Sequence, residues 1–440
     1  MDARSLLVAD GSTDQVISQS QLEGHLETVV DRWILGAGVT RLLLLPPDHT
    51  RLFSLAGPIT AWIVRRLAGL ITVDVMPALG THQPMSLEEC QLMFGNDVSY
   101  DQIVQHRWRE DVRPLGEITS EEMAQLSGGR FREPLPIEIN HRVTEGGYDL
   151  VLSIGQVVPH EVIGFANYTK NVCIGAGGRD TIHRSHFLGA VCGMESIMGR
   201  VDTPVRQAID DGFERFVRPR ADVRFLLTVI EESEAGPVQR GFFAGGERDC
   251  YEKAAELSLR VNVSLVDEPY SRCVVFLDPR EFRSTWLGNK AIYRTRMAMA
   301  DEGELIVLAP GVEKFGEDAM VDSLIRKYGY RGTEAALDAV AADQEVRENL
   351  SAAAHMIHGS SEGRFRIVYC TANGLSREEI ESVGFEFRRY EDMVAHCFGQ
   401  VDSDTGSWGH DGWHEDSDGQ PFYFIGNPAL GLWSTESRFG

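Results

Sequence analysis

The sequence predicts an α/β protein: two α/β domains with mixed, largely buried sheets and an interdomain active-site cleft. Three observations lead there. The chain has 440 residues, more than the ~250–300 at which a single core stops growing. Seven short apolar runs are bounded by turn or helix signals, the mark of strands buried on both faces. Amphipathic stretches of helical period lie between them.

In chain order, the predicted strands are residues 40–47 (TRLLLLPP), 71–77 (ITVDVMP), 148–157 (YDLVLSIGQV), 224–230, 271–278, 303–310 (GELIVLAP) and 365–370. The predicted helices cover 59–70, 249–261, 290–300 and 334–349. The segment VDEPYS, 266–271, ends a helical stretch and precedes a strand. It divides the chain into domains 1–267 and 268–440. The polar, turn-rich segment 402–419 reads as a surface loop, with His410 and His414 four residues apart between acids.

Composition narrows the function classes. The formal charge of −24 argues against a nucleic-acid partner, because a phosphate backbone would be repelled. It leaves an anionic small substrate open, since a few local Arg or Lys side chains can dominate a cleft. No uninterrupted apolar window of ~18 residues predicts a membrane span, and the first residues lack the basic leader and apolar core of a signal peptide. Seven cysteines without regular spacing predict a reduced, cytoplasmic protein.

Four segments carry chemistry. In PPDHTR (46–51), directly after an apolar run, Arg51 can hold a carboxylate by paired hydrogen bonds and Asp48 can orient an imidazole. A surface salt-bridge loop would read the same way. In PALGTHQPMS (77–86), His82 sits on a strand-to-helix turn, placed for a general base or simply satisfied by backbone; Ser86 and Glu89 form a capping box. In residues 155–191, His160, Lys170, His183 and His186 surround Gly164, Gly175, Gly177 and Gly178. Glycines let amides approach a phosphate, although neither a P-loop nor GxGxxG is present. One of the two helical histidines can ligate a metal while the other packs. Lys170 is either solvated or buried and activated. In residues 282–316, Trp286 and Lys290 begin a helix, and Lys290 can anchor a carboxylate across the cleft or lie on a helix surface.

Taken in order, DHTR (48–51), GTH (80–82), HEVIGFANYTK (160–170), TIHRSH (181–186) and NKA (289–291) resemble the nickel-dependent lactate racemase family, which includes other 2-hydroxy-acid racemases and epimerases. The resemblance implies an N-terminal catalytic and cofactor-binding domain and a C-terminal domain closing the cleft. It implies nickel and the nickel-pincer nucleotide, pyridinium-3,5-bisthiocarboxylic acid mononucleotide, linked to Lys170. It implies His186 as nickel ligand, with His183 the alternative, and His82 and His160 as acid/base pair. Arg51 and Lys290 become carboxylate anchors and Asp48 a supporting residue, with Gly177 and Gly178 beside the cofactor. Maturation enzymes for the cofactor are implied partners. The implied reaction moves a hydride from C2 to the pincer ring and back to the other face of a 2-keto acid, while the histidines move the hydroxyl proton.

The chain departs from the lactate enzymes ahead of the lysine. It has Ala166, Asn167, Tyr168 and Thr169 in place of Ser-Gly-Gly-Arg, then Asn171. Extra amides and hydroxyls there suit a polyhydroxylated substrate, so the expected substrate is an aldonate such as D-gluconate, with lactate or another short 2-hydroxy acid as the alternative. The competing class is a zinc- or iron-dependent hydrolase or lyase using His160, His183 and His186. A Schiff-base enzyme using Lys170 and a non-enzymatic sugar-acid sensor complete the field.

Overall fold

The computed structural model describes residues 5–233, 236–399, 410–429 and 431–439. The chain forms two compact units, one of residues 1–188 and 196–262, the other of residues 189–195 and 263–440. Among the described residues, no helix is long and apolar enough to cross a membrane.

The first unit is built on a six-stranded sheet of β1 (Val8–Gly11), β2 (Arg41–Leu45), β3 (Thr72–Val75), β4 (Leu150–Gln156), β5 (Val223–Ser233) and β6 (Gly236–Gly245), in the spatial order β1-β6-β5-β4-β2-β3. β3, β2, β4 and β5 run parallel, while β5–β6 and β6–β1 are antiparallel. The sheet is therefore mixed. Leu42 to Leu45 and every residue of β4 are buried, which is why these runs are apolar without alternation. Helix α1 (Ala56–Leu67) lays Ile59, Ile63 and Leu67 into that core. Helix α2 (Leu87–Phe94) opens with the predicted capping box, Ser86 and Glu89 exchanging both bonds.

After β2 the chain crosses to β3 on one side, and after β3 it returns to form β4 on the other side of β2. The order of strands thus reverses between β2 and β4. Open α/β sheets bind ligands in the crevice at the carboxyl ends of the strands at such a reversal. A separate ribbon pairs Val112–Ile118 with Leu135–Asn140.

The second unit holds β7 (Tyr270–Phe276), β8 (Met299–Leu308), β9 (Arg366–Cys370), β10 (Glu386–Phe387), β11 (Gly412–Glu415) and β12 (Pro421–Ile425), ordered β10-β9-β8-β7-β12-β11. All neighbours are parallel except β11 against β12.

All seven predicted strands form. The predicted helix 290–300 stops at Thr295, because β8 begins at Met299. The predicted helix 334–349 is broken into Thr333–Ala342 and Gln344–Glu348, where Asp343 in extended backbone caps the second piece. The loop predicted for 402–419 lies outside the described residues over 402–409. In its described part, Gly412–Glu415 is a strand rather than a loop.

Candidate active site

Three crossovers deliver the sequence-predicted residues to one end of the first sheet. Beyond β2, Asp48 caps a 3₁₀ turn over His49–Ser54 that carries Arg51. The β2–β3 pairing continues past both strands, with the Ala78 amide donating to the Pro46 carbonyl at 2.8 Å. The chain then turns at Gly80, whose φ of +58° suits glycine, and its amide donates to the Gly175 carbonyl at 2.8 Å. That turn brings His82 to Asp48. Beyond β4, the chain supplies His160, then Lys170, and enters helix α3 (Arg179–Cys192) with His183 and His186.

Asp48 is buried and its Oδ2 lies 2.5 Å from His82 Nδ1, while Oδ1 accepts from the Thr50 amide and hydroxyl. Burial raises the Asp48 carboxyl pKa, but the His82 ring and the Thr50 hydroxyl outweigh it and the net shift is downward. The ionised carboxylate holds the proton of His82 on Nδ1. With the proton fixed on Nδ1, Nε2 is the ring nitrogen that faces outward on a ring that is 58% exposed, and in the neutral ring it carries the lone pair. Asp48 and His82 thus form an oriented-base pair.

His160 is in the opposite state. The Val162 amide approaches its Nδ1 at 3.1 Å and can only donate, so Nδ1 accepts and the ring proton sits on Nε2. Burial holds the His160 pKa well below the ordinary imidazole value, against the nearby Glu161 carboxylate and with Lys170 and Arg51 adding to the depression. His186 Nδ1 lies 2.7 Å from the Ile182 carbonyl, which can only accept, so its Nε2 bears the lone pair. Burial and then the Lys170 charge bring its pKa down to about 4.

Lys170 is partly buried; burial first and the Arg51 charge second lower its pKa to about 8. Its ammonium has no hydrogen bond or ion pair among the described residues, nor has the Arg51 guanidinium. Two cations that feel each other, each without a carboxylate partner, stand in a chain of net charge −24. That arrangement is prepared for an anion.

The donor set also fits the nickel-pincer nucleotide. His186 offers one neutral imidazole nitrogen, and Lys170 offers an amine of lowered pKa without a partner. Among the described residues no three His, Cys, Asp or Glu side chains come together as metal ligands. A metal here would therefore take most of its ligands from a non-protein group. The same geometry removes the zinc or iron site imagined on His160, His183 and His186. His414 Nε2 is spent on the His410 carbonyl at 3.0 Å.

Packing bears on two expectations. Tyr168 is buried between the rings of Phe225 and Tyr251, 4.4 and 5.2 Å away. Asn171 gives its amide to the Leu45 carbonyl and the Ser153 hydroxyl, and Asn167 Oδ1 accepts from the Tyr168 amide. These contacts engage the groups within the protein. A Cβ at Gly177 would meet the Cys173 carbonyl at 2.0 Å, and one at Gly178 the Glu138 carboxylate at 2.4 Å. Packing accounts for glycine at both. Lys290 lies in the second unit at the start of Lys290–Thr295, its Nζ 5.5 Å from the Phe282 ring centre.

Several residues of the site escaped the sequence reading. Glu161 opposes the depressed pKa values of His160 and Lys170. The buried His106 bonds the Gly177 carbonyl through Nε2 and the Asn140 amide through Nδ1. Arg206 is fully buried behind the Lys170 turn. His106 and Arg206 belong to no motif, and their signal is burial, which is not written locally in sequence; Glu161 lies inside the HEVIGFANYTK segment but was not singled out there.

Fold and site together define an α/β protein with an anion-ready, histidine-bearing crevice at a strand-order reversal. Residues 34–199 match the protein family described as the lactate racemase N-terminal domain. Asp48, Arg51, His82, His160, Lys170 and His186 all fall inside that stretch. No curated protein matches the chain. Among solved structures, a protein from Thermotoga maritima is similar at 22% identity over 95% of this chain and 98% of its own, with a TM-score of 0.76. The lactate racemase apoprotein from Thermoanaerobacterium thermosaccharolyticum is similar at 15% identity over 98% of this chain and 96% of its own, with a TM-score of 0.70. The chain shares their fold.

Proposed function

We propose that this chain is a 2-hydroxy-acid racemase or epimerase that inverts C2 by reversible hydride transfer to a nickel-pincer nucleotide tethered at Lys170. The observation that carries the reading is the pair of unpartnered cations, Arg51 and Lys170, beside the Asp48–His82 base. The match of residues 34–199 to the lactate racemase N-terminal domain supports it. When bound, the nucleotide supplies nickel and the ring carbon that accepts the hydride. His186 would hold the metal through Nε2, and Lys170 would be the tether, loaded by maturation enzymes.

The chain's own residues do the rest. Arg51 fixes the substrate carboxylate while the carbon end reorients. His82 takes the hydroxyl proton on Nε2, and Asp48 stabilises the imidazolium that results. His160 presents an N–H to the substrate oxygen on its own side. The two rings begin in complementary states, one a lone pair and one a donor, as a reaction with two mirror-related directions requires.

The aldonate preference loses Asn167 and Tyr168 as support, so D-gluconate and L-lactate enter the assay on equal terms. Protein matured with nickel and the nucleotide is incubated with each acid, its intact mass is taken, and the C2 epimers are separated by chiral chromatography. A nucleotide adduct on Lys170 together with a new C2 epimer is expected. Epimerisation by protein whose Lys170 is unmodified would overturn the reading.

A further inference from the structure

Directly ahead of Lys170, Asn167 and Tyr168 have φ of 63° and 58°. Consecutive non-glycine residues in this left-handed region are uncommon and persist only where the surroundings impose them. One side chain ties this segment down on both sides of the pair. Arg206, on helix α4 (Pro204–Gly212), has a guanidinium with no exposed surface. Its Nη2 donates to the Phe165 carbonyl at 2.5 Å, and its Nη1 donates to the Thr169 hydroxyl at 3.1 Å and the Asn167 carbonyl at 3.4 Å. The three acceptors bracket the strained pair on both sides.

The clamp is itself held. The guanidinium lies 4.4 Å over the Tyr251 ring, which stacks on Tyr168. Asp210, one helical turn along α4, sits 3.7 Å from Arg206, bonds the Thr169 hydroxyl and takes an ion pair from Arg248 at 2.8 Å. Thr203 caps α4 by accepting from the Arg206 amide at 3.0 Å. Arg206 Nε is buried without a partner among the described residues. A buried donor left unsatisfied is costly, so stability alone is a poor reason for arginine at this position.

We propose that Arg206 is the positioning residue for the Lys170 amine, holding it toward Arg51 and out of water by clamping the turn at residues 165–169. The inference rests on the reading of Lys170 as the reactive amine of the site. A lysine on a relaxed turn would swing into solvent and regain ordinary basicity.

The test reads the amine in the full-length protein without cofactor. An amine-reactive ester is applied from pH 6 to 10, and labelling of Lys170 is followed by peptide mass spectrometry. In the native sequence the labelling midpoint should lie near pH 8. Arg206→Lys keeps the charge but cannot hold three acceptors in a fork. It should move the midpoint up by about one unit and cut labelling at pH 8 several-fold. Amide exchange across 163–170 should quicken while cooperative thermal unfolding is retained. An unmoved midpoint in folded Arg206→Lys would overturn the proposal. If that variant does not fold, Thr169→Val deletes one clamp alone and must show a smaller upward shift; an unmoved midpoint there overturns it equally. Failure of this test leaves the nucleotide adduct on Lys170 untouched, so it is distinguishable from failure of the racemase reading.

Discussion

Asp48 shows how a single buried carboxylate fixes the chemistry of an exposed neighbour. Asp48→Asn keeps the shape but loses the charge that holds the His82 proton on Nδ1. With the cofactor adduct intact, turnover should fall by about 10²–10⁴-fold, the usual worth of a general base, as checked by single-turnover kinetics at saturating substrate. A fall of that size in kcat with KM unchanged marks loss of proton transfer rather than of binding. The residue scale is also where the sequence was most and least legible. Asp48, His82, His160 and Lys170 announced themselves because each follows a buried strand, and strands deliver their successors to a common edge. Arg206 was hidden because an arginine in an amphipathic helix reads as solvent-facing. Tyr168 and Asn167 were read for their polar groups, whereas only the tertiary fold shows which way a polar side chain turns.

The elements behind the site make two predictions of their own. α1 packs so closely on α2 that a Cβ at Gly57 would meet the Met93 carbonyl at 1.9 Å. Gly57→Ala should therefore destabilise the first unit by about 1–3 kcal/mol, measured by urea unfolding. His106 ties the ribbon strand Leu135–Asn140 to the glycine turn before α3. Burial lowers its pKa from 6.5 to about 4, with the Gly177 bond opposing. An unfolded imidazole takes a proton that the folded one refuses, so its stabilisation is complete above about pH 6.5 and is lost as pH falls toward 4. The slope from one such group reaches ~1.4 kcal/mol per pH unit. His106→Gln should flatten the urea midpoint between pH 6.5 and 5 relative to the native sequence. Periodicity and length made the strands legible, while the helix breaks at Asp343 and Thr295 depended on caps and on the next strand's register.

For the molecule as a whole, charge and local design oppose each other. On the proposed reading, a net charge of −24 would repel the anionic substrate at long range, while Arg51 would attract it at contact. Salt screens the long-range field first, because the Debye length is ~10 Å at 0.1 M. Raising ionic strength from 10 to 150 mM, in approximate terms, should increase kcat/KM a few-fold, opposite to an enzyme steered by a cationic surface. A decrease measured by initial rates would show that the field at the crevice mouth is positive.

Strand order in the second unit has a consequence for how the chain is made. The neighbour of the inner strand β7 is β12, which lies about 150 residues later, between Pro421 and Ile425. The parallel pair Val263–Val266 with Leu432–Thr435 spans the same gap. The first unit, by contrast, has every strand of its sheet once residue 245 has left the ribosome. During translation it can close early, whereas β7 must wait with an unpaired edge until residues 421–425 have been made. Domains commonly fold in order of synthesis, and here the strands that precede Asp48, His82 and Lys170 can pair before the second sheet has been made.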